Sequence, residues 1–374
     1  MPAYPQTAIP PALALPVIEE AFPRNLHPYW SQLQGLTRSW LLEKRLMPAD
    51  KVEKYADGLC YTDLMAGYYM GAPDDVLSAI CDYSAWFFVW DDRHDRDVIH
   101  GRTASWRRLA VQLHAATEAP ELHLNHKDPL VAGFADSVAR LHGTLSRTWN
   151  ARFGRHFHAV IDAYDEEFRN RTSGTVPSVD AYIRLRRKTF AHAIWLDLLE
   201  PTAQYELPAW VRKNPAFARA GLACQDFAAW YNDLCSLPKE LAGGELHNLG
   251  ISLIEERGYS LPEAMTEVRR RVEGTIDEFL SAEREVEKMA AATESVGDAG
   301  KELAAAIRLC VGNMRNWFSS VYWFHHESGR YQVDSWDDRA TPPYVDDAVP
   351  PQPAEPTVPA QRGGPVNDQV GECA

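Results

Sequence analysis

No stretch of the chain approaches the length a membrane span needs: the most apolar run, Ala85 to Trp90, falls far short of the roughly 20 residues required. Lysine and arginine never gather in a long run, and 38 basic residues stand against 52 acidic ones, a net charge of −14. A nucleic-acid backbone would be repelled by that excess. The six cysteines (Cys60, Cys81, Cys224, Cys235, Cys310 and Cys373) include no CxxC pair, which fits neither a zinc module nor a secreted disulfide framework. The segment Met1 to Pro16 lacks a basic start and is interrupted by Pro5, Pro10, Pro11 and Pro16, unlike a signal peptide. A soluble, cytoplasmic protein that binds neither nucleic acid nor membrane is the resulting expectation; a monomer is expected too, though none of these features decides the oligomeric state.

Strand signatures are equally scarce. Alternating apolar patterns and Asn-Gly hairpins are almost missing, whereas helical spacing recurs: Leu33, Leu36 and Trp40, then Val52, Tyr55 and Leu59, fall at i, i+3, i+7. Pro73-Asp74-Asp75 is a helix start that leads through Val76, Ile80 and Phe87 into an acidic cluster. Ile183, Arg186, Phe190 and Ile194 read as one stripe, and Ser260–Met289 and Lys301–Glu327 carry the Ala/Glu/Arg/Leu mix of long helices. The fold class is therefore all-α. With 45% hydrophobic residues among 374, the chain can bury a large core. No internal repeat is present. Residues 15–345 are expected to form one domain, flanked by a disordered N-terminus (1–14) and a disordered Pro-rich tail (346–374).

Two acidic motifs carry chemistry. The first, Asp91-Asp92-Arg93-His94-Asp95, follows Trp86-Phe87-Phe88-Val89-Trp90. On a helix Asp91 and Asp95 share a face, with Asp92 offset by about 100°. Clustered acids on a helix are usually a solvated face, but such a face does not begin with a run of aromatics. The second motif is Asn232-Asp233-Leu234-Cys235-Ser236-Leu237-Pro238-Lys239-Glu240. Asn232, Ser236 and Glu240 lie at i, i+4, i+8, drifting about 80° while rising roughly 12 Å. Helical side chains lean toward the N-terminus, so a short Asn, a short Ser and a long Glu can converge on one point. All three offer oxygen, which suits Mg²⁺ and disfavours zinc. Pro238 should kink or locally distort the segment.

Taken together, the aspartate cluster, the Asn-Asp-x-x-Ser-x-x-x-Glu segment and Arg330-Tyr331 resemble the paired metal motifs of bacterial class I terpene synthases, across roughly Leu15 to Val345. The resemblance implies an α-helical bundle around a deep central cavity and an isoprenoid diphosphate substrate, with farnesyl diphosphate cyclised to a sesquiterpene. It also implies three Mg²⁺ ions: Asp91 would bridge two, and Asn232, Ser236 and Glu240 would hold the third. Asp92 would orient a cation such as Arg330, and Asp95 joins the cluster with a less defined role. Arg186 would sense the diphosphate, with Lys239, Arg330 and Tyr331 completing the clamp.

Phe87 and Phe88 sit one turn before Asp91, Phe190 one turn after Arg186, and Trp317 and Phe324 share a face leading to Arg330. Three helices thus place aromatics below a diphosphate-binding group, and family position adds Trp195 to that wall. Aromatic faces stabilise cations by about 0.5–2 kcal/mol each; plain core packing is the competing fate of each ring. Trp336-Asp337-Asp338-Arg339 reads as a solvated segment, and His325-His326-Glu327 and His156-Phe157-His158 as core or surface histidines, since neither has HExxH spacing. Three other classes compete. A chain-elongating prenyltransferase would carry a second aspartate cluster in place of Asn232/Ser236/Glu240. A phosphohydrolase using His94-Asp95 would need more His and Asp ligands, and a helical scaffold would not depend on Mg²⁺.

Overall fold

The computed structural model describes residues 13–53 and 60–328, with the backbone alone at 239, 242 and 243. All regular structure in this range is helical. Four helices open the chain: α1 Pro16–Ala21, α2 Trp30–Glu43, α3 Tyr61–Tyr68 and α4 Asp74–Ile99. There follow α5 Thr103–Glu118, α6 Pro129–His142, α7 Arg147–Ser173, α8 Val179–Thr189, α9 His192–Asp197, α10 Leu199–Ala203 and α11 Ala209–Arg212. Four more complete it: α12 Pro215–Gly243, α13 Leu249–Arg257, α14 Leu261–Glu294 and α15 Asp298–Glu327. No helix among the described residues is long and apolar enough to cross a membrane.

Burial sorts these helices. α14 is amphipathic, burying Ala264, Val268, Val272, Ile276, Phe279, Ala282, Val286 and Ala290 as one stripe at helical spacing. That stripe packs mainly on α12 and α15, and the helix begins with a capping box in which Ser260 and Glu263 satisfy each other's backbone N–H. α4 is buried on almost every side: α3, α2, α6 and α7 cover it, and even Asp92, Arg93, His94 and Asp97 near its end are buried. α4, α12 and α15 thus form the interior of the bundle, and the other helices wrap them.

Several local expectations change. α8 ends at Thr189, because Ala191 takes a left-handed conformation (φ 55°) and restarts the chain as α9. The stripe Ile183–Arg186–Phe190–Ile194 is therefore split between two helices, although the Phe190 N–H still bonds the Arg186 carbonyl at 2.8 Å. Helix α12 runs on past Pro238 to Gly243. Most of the helical stretch expected over Val52, Tyr55 and Leu59 lies outside the described residues, as do Cys373, the Trp336–Arg339 segment and the tail. Leu13 and Ala14, within the segment expected to be disordered, accept hydrogen bonds from Tyr231 (2.8 Å) and Arg269 (2.9 Å).

A buried ionic network fixes α9 and α10, which carry Trp195, against α7. Arg152 donates to Asp197 at 2.9 Å and to Glu200 at 2.7 Å, and His156 meets the other Asp197 oxygen at 2.6 Å. Removing one partner from such a group leaves a buried charge uncompensated, at a cost of about 3–5 kcal/mol. Arg152→Ala is predicted to lose that much stability in urea unfolding; a loss below about 1 kcal/mol, the scale of an exposed pair, would contradict the network's role.

Candidate active site

The acidic end of α4 is set by α7. The Tyr164 hydroxyl donates to Asp91 Oδ1 at 2.9 Å, its ring stacks on Trp90 at 4.3 Å, and its carbonyl meets His94 Nε2 at 3.1 Å. One turn after Asp91, Asp95 Oδ1 accepts from Arg171 at 2.5 Å. Burial opposes the charge of Asp95, yet Arg171 and His94 beside it hold its carboxyl below the ordinary carboxylate range. Asp92 is buried next to Asp91.

The second motif is anchored by its unused member. Asp233 is 1% exposed on its side chain and accepts from Tyr182 (2.7 Å), the Leu249 N–H (3.1 Å) and Arg186 (3.1 Å). It pins α8 and α13 to α12. Asn232, one position earlier, accepts from the same Arg186 at 2.7 Å through Oδ1. Its Nδ2 faces His325 Nε2 at 3.2 Å, and His325 Nδ1 lies 2.8 Å from the Val321 carbonyl. Only a donor suits that carbonyl, so Nε2 accepts and the amide of Asn232 is oriented with its oxygen toward Arg186. Ser236 Oγ donates to the Asn232 carbonyl at 2.9 Å. Glu240 Oε2 accepts from Asn248 Nδ2 at 2.9 Å. Burial, aggravated by Asp233, pushes the Glu240 carboxyl up to about 7.

One guanidinium links the ends of the two helices that carry the motifs. Arg171, near the end of α7, contacts Asp95 on α4 and also Glu245 at 2.8 Å. Glu245 follows Gly244, whose left-handed turn (φ 74°) ends α12 and sends the Glu245 N–H back to the Glu240 carbonyl at 2.9 Å. The acidic ends of α4 and α12 therefore lie within the reach of a single side chain. A partly buried carboxylate close to neutrality, with hydroxyl and amide oxygens one and two turns before it on the same helix, is a donor set of hard oxygens that fits a divalent cation such as Mg²⁺. Among the described residues no group of three or more His, Cys, Asp and Glu side chains is arranged to hold a metal ion by itself; the α12 set is mixed, one carboxylate with an amide and a hydroxyl.

The aromatic residues separate. Phe87, 8% exposed, lies in a cluster with Tyr83, Trp90, Tyr164 and Trp195, the last at 5.8 Å. Phe88 stacks on Tyr61 at 3.8 Å and stands 6.1 Å from Phe324, linking α4, α3 and α15. Trp317 packs on Tyr68 at 4.0 Å. Phe190 carries the Arg186 guanidinium 5.1 Å from its ring centre. Lys239's side chain, Arg330 and Tyr331 lie outside the described residues. Tyr61, Tyr164, Arg171 and Asn248 give no signal in the sequence; His325, a core or surface histidine on the sequence, is buried and also faces Asn232.

Residues 82–278 match the family described as Terpene synthase family 2, C-terminal metal binding. The chain belongs to the terpene synthases. Epi-isozizaene synthase from Streptomyces coelicolor is 69% identical over 338 residues, which cover 90% of this chain and 94% of that protein. Pristinol synthase from Streptomyces pristinaespiralis is 28% identical over 251 residues, 66% of this chain and 67% of its own. The crystal structure of germacradien-4-ol synthase from Streptomyces citricolor shares the fold with a TM-score of 0.70, at 20% identity, over 84% of this chain and 97% of that one. This terpene synthase is accordingly a metal-dependent cyclase.

Glu240 gives the metal-free terpene synthase a pH signature. Its folded pKa lies above the ordinary glutamate value, so its contribution is favourable below about pH 4.5 and is lost as pH rises through about 7. Glu240→Gln removes that loss. In EDTA, the melting temperature of Glu240→Gln is predicted to exceed wild type by more at pH 8 than at pH 5; an equal difference at both would contradict this environment.

Proposed function

We propose that this terpene synthase ionises farnesyl diphosphate and cyclises the cation to a sesquiterpene, epi-isozizaene, releasing inorganic diphosphate. The observation that supports the site assignment is Arg171, which bonds Asp95 on α4 and Glu245 just beyond the end of α12 and so holds the ends of the two motif-bearing helices within reach of one side chain. The product assignment rests on the 69% identity to epi-isozizaene synthase.

Asp91 would hold metal on the α4 side, and Asn232, Ser236 and Glu240 on the α12 side. Three Mg²⁺ ions, when bound, supply the positive charge that weakens the allylic C–O bond. Arg186, whose guanidinium already spans Asn232 and Asp233, is placed to turn toward a diphosphate oxygen. Lys239, Arg330 and Tyr331 complete the clamp in this reading, and Asp92 and Asp95 support it, Asp95 by holding Arg171. Heterolysis leaves the bonding electron pair on diphosphate and a cation on the allyl carbon. The chain's own double bonds then attack that cation, and loss of a proton, with the released diphosphate as a candidate acceptor, ends the cascade. Phe87, Phe88, Phe190, Trp195, Trp317 and Phe324 would face the hydrocarbon, offering π-density that cannot ionise and excluding water that would quench the cation to an alcohol.

An elongating transferase fits less well, because its second motif would be another aspartate cluster. Incubation of purified protein with farnesyl diphosphate and Mg²⁺, followed by gas chromatography–mass spectrometry, tests the reading. A cyclic hydrocarbon is expected; a longer prenyl diphosphate or unchanged substrate would refute it. Asp91→Ala and Asn232→Ala are predicted to nearly abolish turnover while remaining folded. Phe88→Ala should redistribute products more than it slows diphosphate release, and an unchanged product profile would reduce the ring to core packing.

A further inference from the structure

Asn248 belongs to neither motif, yet its side chain reaches deep into the second one. It is fully buried, with 0% exposure. Its Nδ2 donates to Glu240 Oε2 at 2.9 Å and to the Asp233 carbonyl at 2.8 Å, and lies 3.4 Å from Ser236 Oγ. Its Oδ1 accepts from the Gly250 N–H at 2.7 Å, capping α13. One amide thus touches three consecutive turns of α12, and two of its three acceptors are candidate metal ligands.

The surroundings fix Asn248 rigidly. The Leu249 N–H bonds Asp233 Oδ2 at 3.1 Å. Gly250 lies so close to α12 that a Cβ there would overlap the Leu237 methyls, so glycine is what lets the start of α13 sit against the metal helix. A glutamate side chain has several rotatable bonds, and ordering it costs up to about 2 kcal/mol. A donor that holds one carboxylate oxygen reduces that cost and leaves the other oxygen to meet a cation. A neutral amide does this without adding a charge to a site already crowded by Asp233 and Glu245.

We propose that Asn248 is a positioning residue for the α12 metal site, setting Glu240 and Ser236 so that each presents an oxygen to the divalent cation. The proposal rests on the reading of Asn232, Ser236 and Glu240 as metal ligands. Partners of this kind, hydrogen-bonded to ligands, typically contribute 10- to 100-fold to metal affinity or activity.

Two variants separate the positioning role from the helix cap. Asn248→Asp keeps the shape and the capping oxygen but lacks the amide hydrogens; Asn248→Ser keeps a capping oxygen, adds no charge and is too short to reach Glu240. The full-length protein and both variants are titrated with Mn²⁺ in the presence of inorganic diphosphate, with free Mn²⁺ followed by electron paramagnetic resonance. Both variants are expected to keep wild-type circular dichroism and to bind Mn²⁺ about 10- to 100-fold more weakly. The Mg²⁺ concentration for half-maximal cyclisation should rise by the same factor, while kcat at saturating Mg²⁺ changes less. Wild-type Mn²⁺ affinity in either variant would overturn the proposal. So would unfolding of both, which would make Asn248 a cap and nothing more. If the wild-type protein binds Mn²⁺ and diphosphate but makes no hydrocarbon, the cyclase reading fails while the Mn²⁺ titration still decides the role of Asn248.

Discussion

Negative charge gathered at the ends of α4 and α12 is the constraint around which this protein is built. Asp91, Asp92 and Asp95 lie on one helix end and Asp233, Glu240 and Glu245 on the other, with Asp92 and Asp233 buried and the rest partly exposed. Arg171 answers part of that charge by spanning Asp95, Glu167 and Glu245. Arg186 answers another part at Asn232 and Asp233. Glu240 is pushed up to about 7, by burial first and then by Asp233 beside it. A divalent cation is the natural complement to such a site, and an anionic substrate that arrives with cations then finds charge balance there rather than repulsion.

Each motif divides its residues between fold and chemistry by helical phase. In the second, Asp233 turns inward to Tyr182, Arg186 and Leu249. Asn232, Ser236 and Glu240 lie on the neighbouring face. In the first, Phe87 joins the Tyr83–Trp90–Tyr164–Trp195 cluster, whereas Phe88, about 100° further round the helix, meets Tyr61 and Phe324. Two adjacent phenylalanines therefore serve different surroundings: Phe87 reaches the α7 and α9 side, and Phe88 the α3 and α15 side. The Arg186 guanidinium also lies 5.1 Å from the Phe190 ring centre, a cation–π contact between residues four apart.

Local features were legible in the sequence because they follow from local periodicity. The Pro73-Asp74-Asp75 start, the helix-forming composition of Ser260–Met289 and the i, i+4, i+8 spacing of the oxygens all belong to single helices. Arg171, Tyr164 and His325 were not legible, because each acts on a residue distant in sequence: Arg171 meets Asp95, 76 positions away, and His325 meets Asn232, 93 positions away; Asn248 is only 8 positions from Glu240, but the chain reverses between them, where helical periodicity gives no guide. Ala191 was misread for a different reason. Its left-handed turn breaks a stripe that amphipathic spacing alone would continue, and alanine gives no glycine-like signal of the break.

The most direct measurement is a crystal structure of this protein with Mg²⁺ and inorganic diphosphate. It should show metal on Asp91 and metal on Asn232, Ser236 and Glu240, with one diphosphate bridging the two sides. Ions bound elsewhere, or a diphosphate held without contact to either set of oxygens, would contradict it.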